Sequence, residues 1–465
     1  MMADVQSYDA IIIGAGQAGM PLSMALARAG RRTAIIESTH VGGTCINEGC
    51  TPTKTMIASG RVAYLARRGA DYGVHTGALS VDMVKVRQRK RDIVNSFCDG
   101  DQRRIEDTPG VDLIFGEASF IAPKTLAVQG NDGTLRHLSA PTILINAGAR
   151  PSTPNLPGLD TVSALNSTSI MELDTVPEHL LVLGGGYVGL EFGQLFRRLG
   201  SRVTIIQRRT HLLAREDDDV AEAVADILRQ DGIEILLNSS ATRVAQDASG
   251  AVALRVMSPA GERTLTGSHL LVAVGRMPNS DRLNLPAAGI MTDSHGFIHA
   301  NDKLETSVPG IYALGDVKGG PAFTHISYDD FRIIRTNLIE GGNTSIAGRL
   351  VPYTVFIDPQ LGRVGLTERE AREQGANIIV AKMPMNYVAR ALEVDEARGF
   401  MKAIVDRDSK QILGAAILGI EGGEIMAMLE IAMLGKLPYT TLRDAVFAHP
   451  TLAEALNNLF TSIER

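Results

Sequence analysis

The sequence predicts an α/β protein: two strand–glycine-loop–helix units of the dinucleotide-binding type, followed by a smaller α+β region. Three observations lead there. An isoleucine-rich run, Tyr8-Asp9-Ala10-Ile11-Ile12-Ile13, passes directly into Gly14-Ala15-Gly16-Gln17-Ala18-Gly19. The same pattern returns at Leu180-Leu181-Val182-Leu183, followed by Gly184-Gly185-Gly186-Tyr187-Val188-Gly189. From about Leu350 the spacing changes to short strands of mixed register. A chain of 465 residues has room for several domains, each with an ample core.

In the first unit the apolar run reads as a buried parallel strand. A helix follows from about Met20 to Ala29, and a second strand, Thr33 to Ile36, stops at Glu37, 23 residues after Gly14. Each part has a physical task. Gly14 permits the tight turn, Gly16 lets a pyrophosphate approach the backbone, and Gly19 lets the helix pack on the strand. The helix N-terminus faces the phosphates and Glu37 takes a ribose hydroxyl.

The second unit repeats this plan in diverged form, with a helix from about Leu190 to Leu199 and a strand from Arg202 to Ile206. At the same 23-residue offset stands Gln207, followed by Arg208 and Arg209. A carboxylate there would repel a 2′-phosphate, whereas guanidinium groups grip one. Gly184, Gly186, Gly189, Arg208 and Arg209 therefore point to NADPH rather than NADH. A solvated basic turn is the plain alternative for the two arginines.

Two further apolar strands end in loops, Ile143 to Pro151 with Gly148 and Leu271 to Asn279 with Gly275, where the chain is expected to pass between domains. Between the two units, about Val81 to Thr108 reads as a charged helix. About Leu113 to Ala140 reads as a β-meander turning at Gly130-Asn131-Asp132-Gly133. Ile311-Tyr312-Ala313-Leu314-Gly315-Asp316 is a strand ending in Gly-Asp, and an aspartate there can bond a polyol hydroxyl such as the ribityl chain of a flavin. The C-terminal region contributes strands at Thr354 to Ile357, Phe400 to Val405 and Ile412 to Leu418. A methionine-rich helix follows from Gly423 to Leu434, its methionines read as core or interface packing. Near the end, His449 and Glu454 lie five residues apart across Pro450, a spacing that lets the carboxylate orient the imidazole as a general base needs. A helix start is the plain alternative.

Hydrophobic residues make up 45% and charged residues 21%, as in an ordinary globular protein, and a net charge of −6 gives no support for a nucleic-acid partner. No segment approaches the roughly 18 apolar residues of a membrane span, and the polar start lacks the build of a secretory signal. Three cysteines do not make a disulfide framework, so a reducing cytoplasm is the expected setting. Two of them, Cys45 and Cys50, share the stretch Gly42-Gly43-Thr44-Cys45-Ile46-Asn47-Glu48-Gly49-Cys50-Thr51-Pro52-Thr53-Lys54. By itself the pair is open to two readings, a redox dithiol or two buried small apolar residues. Zinc lacks its further ligands, and no metal site is expected. Cys98 reads as a bystander, and His325, beside the Gly-Asp element, as a packing residue.

These elements in this order resemble the flavoprotein disulfide reductases, the class I pyridine nucleotide-disulfide oxidoreductases that include lipoamide dehydrogenase, glutathione reductase and mercuric reductase. The stretch from Gly42 to Lys54 is similar to the family's GGTCxNxGCxPSK pattern, with Thr53 in place of the serine. The resemblance implies an FAD-binding domain at 1–150, an NAD(P)-binding domain at 151–275, a central domain at 276–345 completing the FAD site, and an interface domain at 346–465. It implies an obligate homodimer whose active sites are shared, each taking the terminal histidine from the other subunit. Carried over, Cys45 is the exposed interchange thiol and Cys50 the charge-transfer thiol beside the flavin. Lys54 lies near the flavin N5 and pairs with Glu191, Tyr187 covers the nicotinamide, and Asp316 binds the flavin with Gly43, Thr44, Gly148, Gly275 and Gly315 around the cofactors. His449 and Glu454 form the acid/base dyad. Electrons would pass from NADPH through FAD to the Cys45–Cys50 disulfide, and on to a small-molecule or protein-borne disulfide.

Several stretches, among them Asn146 to Arg150, Phe323 to Ser327 and Ala455 to Phe460, look like the mercuric-reductase-like group. That resemblance keeps reduction of Hg(II), Cu(II) or a quinone as an alternative, and dihydrolipoamide dehydrogenase as another. The chain departs from mercuric reductase in having no cysteine pair or metal-binding domain at its ends, His449 in place of a tyrosine, and Tyr187 in place of a small aliphatic residue. It departs from lipoamide dehydrogenase at Gln207, where that enzyme has an acid.

Overall fold

The computed structural model describes residues 5–464 and divides into two compact units, each assembled from separate stretches of chain. The first comprises Met1–Thr55, Lys85–Ser152 and Gly275–Arg349; the second comprises Met56–Val84, Thr153–Val274 and Leu350–Arg465.

In the first unit, Ala10–Ile13 pairs in parallel with Thr33–Glu37 on one side and Thr142–Ile145 on the other. Val111–Ala122 and Ile311–Ala313 extend the parallel sheet. Successive side chains on a strand face opposite ways, so Ile11, Ile13, Ala34 and Ile36 enter one buried cluster while Ala10, Ile12 and Ile35 enter another. Helices Gly19–Arg28 and Thr324–Leu338 cover the second face through Leu22, Leu26, Phe331 and Ile334. Burial on both faces is why these strands read as continuous apolar runs. The expected meander is present as Val111–Ala122, Thr125–Gly130 and Leu135–Ser139, paired antiparallel. The polar start differs from expectation: Val5–Ser7 adds a parallel strand beside Leu135–Ser139. Its side chains are all exposed, so backbone pairing holds it and no apolar pattern announces it. The two expected crossing loops meet as a ribbon, Ala149–Pro151 antiparallel to Arg276–Pro278.

In the second unit, Glu234–Leu236, Arg202–Ile206, His179–Leu183 and His269–Val272 form a parallel sheet. Helices Tyr187–Leu199 and Asp218–Gln230 accompany it. A three-stranded antiparallel sheet from Ser240 to Gly267 packs its inner side chains, Val244, Val252, Leu254 and Val256, into the same core. The C-terminal strands form one antiparallel sheet ordered Tyr353–Val355, Gln360–Gly365, Ile412–Gly419, Phe400–Asp406 and Ile378–Pro384. The methionine-rich helix, Gly422–Leu434, lies against it. Gly362 permits the close approach, since a Cβ there would stand 2.4 Å from Gly422 O. Among the described residues no helix is long and apolar enough to cross a membrane.

Candidate active site

The first glycine loop is built for backbone approach. Gly14 has φ +100°, and a Cβ on it would lie 2.3 Å from Asn146 O; one on Gly19 would lie 2.1 Å from Gly14 O. Glu37, buried at the end of its strand, accepts from Ala15 N at 2.9 Å and from Thr39 N at 3.0 Å. Acid and glycine loop are thus one piece, with the carboxylate fixed by amides. The dithiol turn packs directly on this loop: Gly42 N donates to Ala15 O at 2.9 Å, and a Cβ on Gly43 would stand 2.8 Å from Gly16 Cα.

Cys45 sits in the short helix Gly43–Asn47, with Thr44 beside it, and Cys50 is the first residue of the helix Cys50–Arg67. What brings them together is Gly49, where a Cβ would be 2.7 Å from Thr44 O and 3.3 Å from Cys45 Cα. Asn47 holds the turn from the other side, donating to Val41 O at 2.9 Å and Gly43 O at 3.0 Å. Cys45 is half-buried and Cys50 exposed. A hydrogen bond with Cys50 and then burial push the Cys45 thiol well above its ordinary range, while the Thr324 hydroxyl and the Cys50 backbone amide pull it down. Thr324 Oγ1 lies 3.4 Å from Cys50 Sγ. Sequence reasoning gave Thr324 no role of its own; it appeared only within the stretch Phe323 to Ser327. Lys54 follows Cys50 by one turn of the same helix.

Gly315 N donates to the fully buried Asp330 at 2.8 Å. Burial pushes the Asp316 carboxyl up, against the pull of Arg276 and Lys318, which suits a group that bonds a neutral hydroxyl. Gly148 (φ +69°) and Gly275 (φ +136°) would meet nothing within 4 Å at their Cβ positions. These residues of the first unit fit an FAD: a backbone cradle for phosphate, an acid for ribose and a carboxyl for the ribityl chain. His325 stacks on Phe323 with ring centroids 5.4 Å apart. Cys98 donates to Val41 O at 3.4 Å.

The second glycine loop reproduces the first. Gly184 has φ +117° with its Cβ position 2.3 Å from Ala273 O, and that of Gly189 is 2.1 Å from Gly184 O. Gly186 has open space where its Cβ would be. Gln207 occupies the place of Glu37, its Cβ 3.2 Å from the Cβ position of Gly185, and its amide donates to His211 O at 2.9 Å. Arg208 and Arg209 follow, both exposed. The loop fits a pyridine dinucleotide. Tyr187 opens its helix and faces Tyr353, ring centroids 6.4 Å apart. Glu191 is buried and accepts from Phe356 N at 2.8 Å.

In the same unit His449 Nδ1 lies 2.8 Å from Glu454 Oε2 and 3.1 Å from Oε1. The carboxylate holds the ring through Nδ1, on a side chain 69% exposed. Asn457, unassigned in the sequence, anchors the preceding segment by donating to the carbonyls of Leu442, Arg443 and Ala445 at 2.8–2.9 Å. Among the described residues no group of three or more His, Cys, Asp or Glu could hold a metal ion.

Comparison with known proteins agrees with this geometry. Residues 8–330 match the pyridine nucleotide-disulphide oxidoreductase family, and residues 351–460 match the dimerisation domain of the same family. A probable pyridine nucleotide-disulfide oxidoreductase, RclA of Escherichia coli, is 39% identical over 99% of this chain and 100% of its own. A mercuric reductase of Bacillus cereus is 36% identical over 97% of this chain and 70% of its own. The solved Cu(II) complex of the HOCl-induced flavoprotein disulfide reductase RclA superposes with a TM-score of 0.89 at 38% identity, covering 98% of this chain and 99% of that one.

Proposed function

This chain belongs to the pyridine nucleotide-disulphide oxidoreductases, and from that premise we propose that it draws electrons from NADPH and delivers them through Cys45 and Cys50 to a disulfide. It is a flavoprotein oxidoreductase acting on sulfur groups, served by FAD and a pyridine nucleotide. FAD supplies the relay between the nicotinamide hydride and the protein disulfide. The observation that carries the proposal is the closed dithiol turn, with hydrogen-bonded cysteines packed on the first glycine loop.

The Cys45 thiolate attacks an acceptor disulfide, forming a mixed disulfide and releasing one thiolate. The Cys50 thiolate then attacks Cys45 sulfur, releasing the second thiolate and restoring the Cys45–Cys50 bond. The partner subunit's His449, oriented by its own glutamate, takes the Cys45 proton and returns it to a leaving thiolate. Lys54 with Glu191 would set the charge beside a bound flavin, and Tyr187 would cover the nicotinamide. The remaining contacts are those of Gly14, Gly16, Gly19, Glu37, Gly43, Thr44, Gly148, Gly275, Gly315 and Asp316 for FAD, and of Gly184, Gly186, Gly189, Arg208 and Arg209 for NADPH. The domain limits at 150, 275 and 345 belong to the same reading. Homodimerisation is supported by the dimerisation-family match and by the apolar face that Ile431 and Leu434 expose on the methionine-rich helix. A reducing cytoplasm suits such a dithiol.

Anaerobic two-electron reduction tests the assignment. The wild type should develop long-wavelength charge-transfer absorbance, and Cys50→Ser should lose it; persistence of the band in that variant overturns the roles given to the two cysteines. The names of the relatives favour a second acceptor class, Hg(II) or Cu(II). NADPH oxidation with disulfides and with each ion, in wild type and His449→Ala, separates the two. Loss confined to disulfides supports the thiol route, and equal loss with both acceptors counts against it.

A further inference from the structure

Tyr187 emerges directly from the second glycine loop, and what stands behind it is not solvent but Tyr353, tilted 47° to it at 6.4 Å, within the range of aromatic contact. The Tyr353 hydroxyl donates to Glu216 Oε1. Glu216 is buried, and its other oxygen, Oε2, faces Arg363 Nε at 3.5 Å and makes no hydrogen bond among the described residues. Arg363 is itself buried in the C-terminal sheet, its Nη1 donating to Ala415 O at 2.9 Å. The backbone closes the circuit. Glu216 N donates to Leu213 O at 2.8 Å, Leu213 N donates to Gly185 O at 3.0 Å, and Leu213 takes φ +45° to make the turn. One route therefore runs from the glycine loop through Leu213 to Glu216, and another from Glu216 through Tyr353 to Tyr187.

We propose that Glu216 and Tyr353 are positioning residues for the nicotinamide end of the second dinucleotide site, fixing the Tyr187 ring relative to the glycine loop; this rests on the reading of Tyr187 as the nicotinamide cover. A buried ion pair adds little net stability over an apolar pair of the same volume. Its effect here is geometric: the carboxylate sets where the Tyr353 ring can lie, and that ring sets the Tyr187 rotamers available.

The test uses the FAD-loaded enzyme. Losing one hydrogen bond of this kind corresponds to a change of roughly three- to tenfold. Tyr353→Phe should raise the calorimetric Kd for NADP+ and the KM for NADPH by about that factor, with the loss in KM rather than kcat. Glu216→Gln, which keeps an acceptor for the hydroxyl, should act in the same direction and less. In a Tyr187→Ala background both effects should shrink below about twofold, because the ring they position is gone. The inference is overturned if both variants bind NADP+ as the wild type does, or if their effects persist undiminished without the Tyr187 ring. Wild-type NADP+ affinity in Tyr187→Ala alone would instead sink the reading of Tyr187, and the inference with it.

Discussion

At the scale of the residue, the site is governed by groups too small to attract notice in a sequence. Gly49 closes the dithiol turn because no Cβ fits against Thr44 O, so Gly49→Ala should part the cysteines and slow disulfide closure, measured by thiol titration after oxidation. Thr324 supplies a hydroxyl beside the sulfurs. Since that hydroxyl favours the thiolate of Cys45, Thr324→Val should cut the alkylation rate of the reduced enzyme at neutral pH by up to about tenfold, the equivalent of one hydrogen bond. Thr324→Ser should restore it. Coenzyme preference is also decided residue by residue. Charge-assisted bonds contribute about 1.5–3 kcal/mol each, so replacing Arg208 and Arg209 together by alanine should raise the KM for NADPH tenfold or more and leave that for NADH nearly alone. Equal effects on both coenzymes would remove these arginines from the 2′-phosphate. Cys45, Cys50 and both glycine loops were legible because their spacing is local. Thr324 was not, because the sulfur it touches lies 274 positions away in the chain.

At the scale of the element, the acidic start of the helix Asp218–Gln230 is fastened to the C-terminal sheet. Lys402, only 2% exposed, lies 3.2 Å from Asp217, 3.0 Å from Asp219 and 2.9 Å from Glu368. Burial works against Asp217 and Asp219 as anions, but the amides of Glu368 and Arg369 with the Lys402 ammonium hold Asp217, and the Lys382 and Lys402 ammonium groups hold Asp219, below the usual carboxylate range. The Lys402 bond does the same for Glu368. Depressed carboxylates add stability that is full above their unfolded values near pH 4 and is lost as pH falls through the folded ones. Lys402 is opposed by burial yet held up by its partners; its share is full below its unfolded value near pH 10 and is lost as pH rises through the folded one. Lys402→Met should cost about 3–5 kcal/mol at neutral pH and flatten the acid limb of stability against pH, as read by denaturant melts. An acid limb as steep as wild type would dissolve the clasp. The strand Gln360–Gly365 escaped sequence reading for a related reason. Its interior carries a buried arginine and a glycine placed against the crossing helix, which erases the alternation that marks a half-buried strand.

At the scale of the whole molecule, the proposed site draws on two chains, and that has a direct consequence. A heterodimer of a Cys45→Ala subunit with a His449→Ala subunit should recover about half the disulfide reductase activity of wild type, because one of its two sites combines an intact cysteine pair with an intact histidine. Each parent homodimer should be nearly inactive, and an inactive heterodimer would place cysteine and histidine of one chain in one site. The sequence by itself determined the α/β class, both glycine loops, the meander, the close spacing of Cys45 and Cys50 and that of His449 and Glu454, because each depends on spacing within a few dozen residues and on the period of its element. Tertiary structure alone decided the rest. Residues 1–55, 85–152 and 275–349 gather into one unit across long gaps. An exposed strand joins a sheet edge by backbone bonds alone. Tyr353 reaches Glu216 across 137 positions. Those outcomes depend on which surfaces meet after the chain has turned back on itself, and no local pattern of residue types encodes that meeting.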